Sequence, residues 1–230
     1  LKKRKKSQFT TAKRKAKLGI KKEKYDIALA SEGSFFNHPS IGIPWNVEIV
    51  YLYDQKLKQA IYSVYESSDT NVLNAFVSNS FELEDFVNKI DFPSHHIIMR
   101  PNDAKNKKIY YVNSHESLLH TFEACMSQSR KKRVFVETDM RAHANPTRML
   151  NIQKATEKLV EKILSHCPKC NAIGYSISKK IRGLPCEQCR RPSEFILKYI
   201  YTCQCCGYTE EKLYPEKRYA PMMYCFHCNP

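Results

Sequence analysis

Arg133-Val-Phe-Val-Glu-Thr-Asp-Met-Arg-Ala-His-Ala-Asn-Pro-Thr-Arg-Met149 is the stretch that decides how the chain is read. Its first four residues are a β-branched and aromatic run that suits a buried strand. From Glu137 to Met149 come two carboxylates, two guanidinium groups, an imidazole and a carboxamide, a mixture no ordinary core requires. Asn145 before Pro146 is a good helix start: Asn accepts hydrogen bonds from free backbone N–H groups, and Pro fits the first helical turn. The stretch therefore reads as strand, polar loop and helix N-terminus. Such a loop, at the carboxyl end of a strand, is where α/β proteins commonly hold ligands. The helix start adds N–H donors and a positive dipole end for an anion.

Toward the N-terminus the patterns are those of a folded domain. Ser114 to Met126 has helical spacing, with Leu118, Leu119, Phe122 and Met126 as its core positions. Lys108–Val112 and Ser94–Met99 read as strands, and Phe81–Ile90 as a short helix. Val47–Tyr53 alternates around Glu48 like a strand, and Ala60–Tyr65 returns as its hairpin partner. Tyr25–Ala30 is a further strand, followed by a loop, Ser31-Glu-Gly-Ser-Phe-Phe-Asn-His-Pro39. That loop is a second chemical candidate, with Glu32, Ser34, Asn37 and His38 beside a Gly33 that permits close backbone approach or positive φ. The first 24 residues read as a basic helix with Ala12, Ala16 and Ile20 turned inward. Toward the C-terminus, Met149, Ile152, Leu159, Val160, Ile163 and Leu164 form the apolar face of a long helix. Mixed strands and helices predict an α/β or α+β domain over 1–165 with a largely continuous mixed sheet.

The composition supports this size of core: 230 residues, 42% of them hydrophobic. The longest apolar runs are far short of a membrane span, and the basic start leads into polar residues, unlike a signal peptide. A cytoplasmic protein with no membrane partner is expected. The first residue is not Met, which predicts further sequence upstream. Net charge is formally +15. A zinc held by four thiolates carries about −2, so two such sites leave roughly +11. That balance favours polyanionic partners.

After 165 the composition changes. Nine of the ten cysteines fall in the last 64 residues, eight of them as four Cys-x-x-Cys pairs, Cys167/Cys170, Cys186/Cys189, Cys203/Cys206 and Cys225/Cys228. Each pair can put two thiolates on one tight knuckle, and two knuckles complete the tetrahedron of a structural zinc. Gaps of 15 and 18 residues inside the first two and last two pairs fit zinc ribbons. A small double zinc-ribbon domain over 166–230 is expected, with sequential pairing favoured and interleaved pairing sterically open. Disulfides, an iron–sulfur cluster and substitution of one thiolate by His227 are the competing readings. Cys205 is a spare thiol, and Cys125 a small buried hydrophobe. Closed thiolate coordination leaves no place for water, so these zincs are structural. Arg182, Arg190, Arg191, Lys198 and Tyr199 near the knuckles are candidate nucleic-acid contacts.

Three motifs together, Ser31–Pro39, Glu137–Met149 and the Cys-Pro-x-Cys to Gly183-Leu-Pro-Cys-Glu-Gln-Cys189 tail, resemble an uncharacterised family of bacterial proteins, a domain of unknown function. The resemblance covers essentially the whole chain. It implies a segment rich in Asp, Thr, Phe and Gly upstream of the basic run, and it departs at Phe36, where the family tends to carry Gly. A smaller similarity joins Lys15-Ala16 and Ser31-Glu32-Gly33 to the pyrophosphatases that remove non-canonical purine nucleoside triphosphates. It implies that Glu32 acts as metal ligand or base and that Lys13 or Lys15 contacts phosphate.

The residues point the same way. Mg²⁺ or Mn²⁺ is usually held by one or two carboxylates, water and substrate phosphates, and Glu32, Glu137 and Asp139 are the candidates if their loops converge. Arg141 and Arg148 suit phosphate oxygens, with Asn145, Ser34 and Lys15 as further substrate contacts. His38 and His143 suit proton transfer. The leading expectation is a zinc-containing, metal-dependent hydrolase of nucleotide or nucleic-acid phosphates. The alternative is a zinc-ribbon nucleic-acid-binding or ligand-sensing protein without catalysis. In a third account the central stretch is a structural ion-pair network.

Overall fold

A computed structural model describes residues 6–230. Leu1 to Lys5, part of the basic start, lie outside the described residues. Helix α1 (Gln8–Glu23) is capped by the Ser7 hydroxyl, which accepts from the Thr10 N–H. Its small Ala12 and Ala16 are buried, which brings the helix close to the sheet beneath, while its lysines face outward.

That sheet is an antiparallel meander of β1 (Ile27–Asn37), β2 (Pro44–Asp54) and β3 (Gln59–Ser67). Strand side chains alternate between faces, and β2 uses both. Ile49 and Tyr51 meet α1, whereas Val50 packs with Ile61 against Ala155 and Leu159 of α4 (Pro146–Leu164). The sheet is thus sandwiched between two helices.

The second sheet has the order β4 (Asn74–Val77), β7 (Val134–Thr138), β5 (Ile97–Pro101), β6 (Tyr110–Val112), all antiparallel. Val134, Val136, Ile97, Met99 and Val112 line the face covered by α2 (Ser80–Asn88) and α3 (His115–Ser127). Cys125 is wholly buried there, and burial pushes its thiol up to about 11, as a packing residue requires. Leu119, expected in the core, is half exposed; Phe122 and Cys125 are the buried pair of α3. On α4, Met149, Val160 and Leu164 are exposed, and the buried stripe is Asn151, Ala155 and Leu159.

Two expectations are corrected. The sheet is not continuous or mixed: among the described residues, 6–165 hold two separate antiparallel sheets, so this part of the chain is α+β. Hairpin turns join β1 to β3 without crossovers, and α4 covers the first sheet and leads to no parallel strand. The polar stretch after Ala30 is not a loop either. Glu32 to Asn37 continue β1 and pair with β2 as far as Asn37 opposite Pro44.

The third sheet, β8 (Ser176–Arg182), β9 (Ile196–Thr202) and β10 (Thr209–Leu213), belongs to the cysteine-rich part. No helix among the described residues is long and apolar enough to cross a membrane.

Candidate functional site

The cysteines form two quartets, Cys167, Cys170, Cys203, Cys206 and Cys186, Cys189, Cys225, Cys228, with all ligand atoms of each within 4.8 Å of one another. Sulfur separations are 3.6 Å for Cys170–Cys203, 3.7 Å for Cys167–Cys206, 3.6 Å for Cys189–Cys225 and 3.9 Å for Cys186–Cys228. A tetrahedron with Zn–S bonds of about 2.3 Å has edges of about 3.8 Å. The spacing is far too long for disulfides, whose sulfurs lie about 2.05 Å apart. Two tetrathiolate sites compatible with zinc are therefore present.

The pairing is interleaved, first pair with third and second with fourth, and the sequential expectation is corrected. The cause is the third sheet. β8 carries the chain roughly 20 Å away from Cys170 before Cys186 is reached. β9 returns antiparallel to β8 and sets Cys203 beside the first knuckle, and β10 runs back toward the second. Each quartet thus closes one end of a three-stranded sheet, in place of two successive ribbons. N–H groups of Cys206 and Cys205 pull Cys203 down to about 6, and that of His227 pulls Cys225 down to about 7. Both shifts favour the thiolate that binds metal, whereas hydrogen bonds from the other cysteines of each quartet push Cys170 and Cys228 up to about 12. Cys205 belongs to neither quartet and is exposed.

The second assembly lies where β7 ends and α4 begins. Asn145 caps α4, its Oδ1 accepting from the Arg148 N–H at 2.9 Å, and its Nδ2 donates to Asn71 Oδ1 at 2.8 Å. Asp139, wholly buried, accepts from Arg141 Nε at 2.8 and 3.0 Å and from the Arg141 backbone N–H at 3.0 Å. These hydrogen bonds push Arg141 further above its ordinary value. Its guanidinium lies 4.1 Å from the centre of the Tyr111 ring.

Arg148 reaches from α4 to the first sheet. Its Nε donates to Glu48 Oε1 at 2.9 Å, its Nη1 donates to the Met140 carbonyl, and the group sits 5.4 Å from the Phe35 ring centre. Glu48 is 0% exposed. Asn46 Nδ2 donates to it at 3.2 Å, and Asn151 Nδ2 donates to Asn46 Oδ1 at 3.0 Å. Gly33, directly across β2 from Glu48, makes room: a Cβ there would lie 2.4 Å from Glu48 Oε1 and 2.7 Å from Arg148 Nη2. Close approach, not positive φ, explains this glycine. Asn71 Nδ2 and Thr70 Oγ1, in the loop that Asn145 holds, are buried without a hydrogen-bond partner.

Asp139, Arg141, Asn145 and Arg148 are thus brought together. The other candidates lie elsewhere. Glu32 and Ser34 fall on the α1 side of β1, because Gly33 shares Glu48's face and neighbours alternate. There Lys15 Nζ pairs with Glu32 Oε2 at 2.5 Å and donates to the Ser31 carbonyl at 3.1 Å. Glu137 is ion-paired with the buried Arg100 on β5. His38 lies beyond β1, edge-on to Trp45 at 4.9 Å, and His143 is exposed in a 3₁₀ turn, Ala142–Ala144. Among the described residues, only the cysteine quartets gather three or more His, Cys, Asp or Glu ligand atoms. Sequence reasoning missed Glu48, Asn46 and Asn151 as members of this assembly; a lone carboxylate in the otherwise apolar Val47–Tyr53 stretch was the available signal.

A third feature is a groove of about 660 Å³ between β3, α4 and β8. Lys158, Lys162, Lys179 and Lys180 line it with Tyr62, Tyr175 and Tyr201, and Glu161 is its only acid. Lys162 Nζ donates to the Tyr62 carbonyl at 2.8 Å. Burial and then the neighbouring Lys158 charge lower the Lys162 pKa, so positive charge is crowded here.

The chain belongs to a protein family described as Domain of unknown function (DUF6671), whose profile matches residues 15–230. No curated protein and no solved structure matches it significantly.

Proposed function

We propose that this family member binds nucleic acid, with two structural zincs holding the module that forms one wall of the binding groove. The supporting observation is the groove lining: four lysines against one glutamate, interleaved with three tyrosines. Lysines following a phosphate backbone, with aromatic rings beside them, are the combination that single-strand binders use. The zincs' part is mechanical. A module of about 65 residues buries little apolar surface, and closed tetrathiolate sites hold together the sheet whose β8 carries two of the groove's lysines. The formal charge of +15 and the lysines on the open side of α1 draw a polyanion toward the protein.

The test is fluorescence anisotropy with a labelled 20-nucleotide single strand of mixed sequence. The full chain is expected to bind it with affinity that falls steeply with salt. Lys158→Glu/Lys179→Glu should weaken binding at least about tenfold while keeping two zincs. Unchanged binding by that variant would sink the reading.

A second reading is metal-assisted hydrolysis of a phosphate ester or anhydride at the head of α4. It is favoured by the two wholly buried carboxylates, Glu48 and Asp139, retained despite the cost of desolvating charge, and by the buried unpartnered Asn71 Nδ2 and Thr70 Oγ1. Mg²⁺ or Mn²⁺ would arrive with the substrate phosphates. Thermal shift with nucleoside triphosphates and Mg²⁺ tests it: stabilisation in the wild type should disappear in Asp139→Asn.

A further inference from the structure

Between Tyr219 and Phe226 the chain leaves five large apolar side chains in solvent. Tyr219, Met222, Met223, Tyr224 and Phe226 are between 44% and 74% exposed. Single exposed hydrophobics are ordinary, but five within eight consecutive residues mark an interaction surface. This one is held rigid. Cys225, buried within the second quartet, anchors it, and a 3₁₀ turn shapes Met222–Tyr224. The Met222 N–H donates to Glu187 Oε1 at 2.8 Å, the Ala220 N–H to the Pro185 carbonyl at 2.9 Å, and Asn229 Nδ2 to the Met223 carbonyl at 2.9 Å.

The rim is cationic. The Arg190 guanidinium lies 4.1 Å from the centre of the Tyr219 ring. Lys217 Nζ lies 4.1 Å from that of Phe195, whose ring meets Tyr224 edge-on at 5.5 Å. Arg191 Nη1 is 2.7 Å from His227 Nδ1, beside Phe226. Arg218 is exposed next to Tyr219. Two acids adjoin the patch and both are engaged, Glu187 by the Met222 N–H and Glu216, next to Lys217, by the Tyr199 hydroxyl. The patch sits at the second quartet, at the end of the third sheet away from Ser176 and the groove.

We propose that this surface docks an acidic segment of another protein, one that sets aliphatic or aromatic side chains between its carboxylates. Charge complementarity selects the acidic partner: four cations surround the patch, and each carboxylate facing them gains a charge-assisted contact. The apolar anchors fill the space around Met222 and Met223, whose flexible thioether chains adapt to the incoming side chain. A second copy of this chain would bring the same cations face to face. A nucleic-acid strand would find cations and could stack bases on Tyr219, Tyr224 and Phe226, but Met222 and Met223 between them suit aliphatic side chains and offer a base no ring, so that occupant is left as an outcome of the test.

The test uses zinc-loaded full-length protein and a labelled 14-residue peptide that alternates Glu and Asp with Leu and Phe. Saturable binding is expected, with polyglutamate of equal length at least about tenfold weaker. Met223→Ser/Phe226→Ser should weaken the mixed peptide by about tenfold or more, as should Lys217→Glu/Arg218→Glu. Zinc content is measured for each variant. If the first variant loses metal, the charge-reversed pair, which leaves the Met222–Cys225 turn unchanged, decides. Four results would overturn the proposal: no saturable binding, equal binding of polyglutamate, a concentration-dependent dimer abolished by the apolar variant, or loss of single-strand binding in that same variant. The last would mark a base-stacking surface, and wild-type oligonucleotide binding itself remains the separate test of the groove.

Discussion

Glu48 has no exposure to water and depends on Arg148 and Asn46 for its compensation. Removing one partner of a buried pair costs more than the pair contributes, because the remaining charge is stranded. Glu48→Ala should therefore destabilise the protein by about 3 kcal/mol or more in urea unfolding, and Glu48→Gln, which keeps a hydrogen-bonding acceptor, by clearly less. Gly33→Ala acts on the same pair from the other side. Its new Cβ would overlap Glu48 Oε1 and Arg148 Nη2, so a loss of about 2 kcal/mol is expected. At this scale the sequence revealed what is local. Asn145 as helix cap and Asp139 beside Arg141 follow from spacings of a few residues. Arg148 and Glu48 lie 100 residues apart, so no local pattern could join them.

Among the elements, the interleaved quartets give the sharpest expectation. Cys167→Ser/Cys203→Ser removes two ligands of one quartet, so zinc analysis should find the other ion retained, one per chain. Were the pairing sequential, the same variant would damage both sites. Protons compete with zinc for the thiolates, and the N–H donors that lower Cys203 and Cys225 favour the metal-binding form. Bound zinc keeps its ligands deprotonated to lower pH than the free thiols, so zinc release to a chromophoric chelator should begin below about 6 and rise as pH falls further. The four Cys-x-x-Cys knuckles were fully legible from spacing, because two thiolates on one turn are a local property. Their partnership was not, because it is set by β8 and β9 pairing between the knuckles. The β-branched and aromatic Ile196–Thr202 segment, with Ser176–Arg182 and its following Gly183 as a partner strand, was the signal to follow. β1 misled for a related reason. Ser31-Glu-Gly-Ser34 has loop composition, and only its ladder with β2 makes it a strand.

For the molecule as a whole, α4 links the parts. Its first turn completes the polar assembly, its middle covers the first sheet, and its last turns carry Lys158 and Lys162 to the groove shared with β8. The basic balance was visible in composition, but not that Lys158, Lys162, Lys179 and Lys180 would meet across a helix and a strand. That juxtaposition is the basis of the nucleic-acid reading, and its clearest signature is ionic. Each phosphate neutralised on a single strand contributes about −0.7 to the slope of log K against log salt. The decisive measurement is that slope for a 20-nucleotide single strand, in the wild type and in Lys158→Glu/Lys179→Glu with both zincs retained. The account expects a wild-type slope of about −2 to −3 that becomes shallower by more than about 1 in the variant. The same slope in both proteins, or binding indifferent to salt, would contradict it.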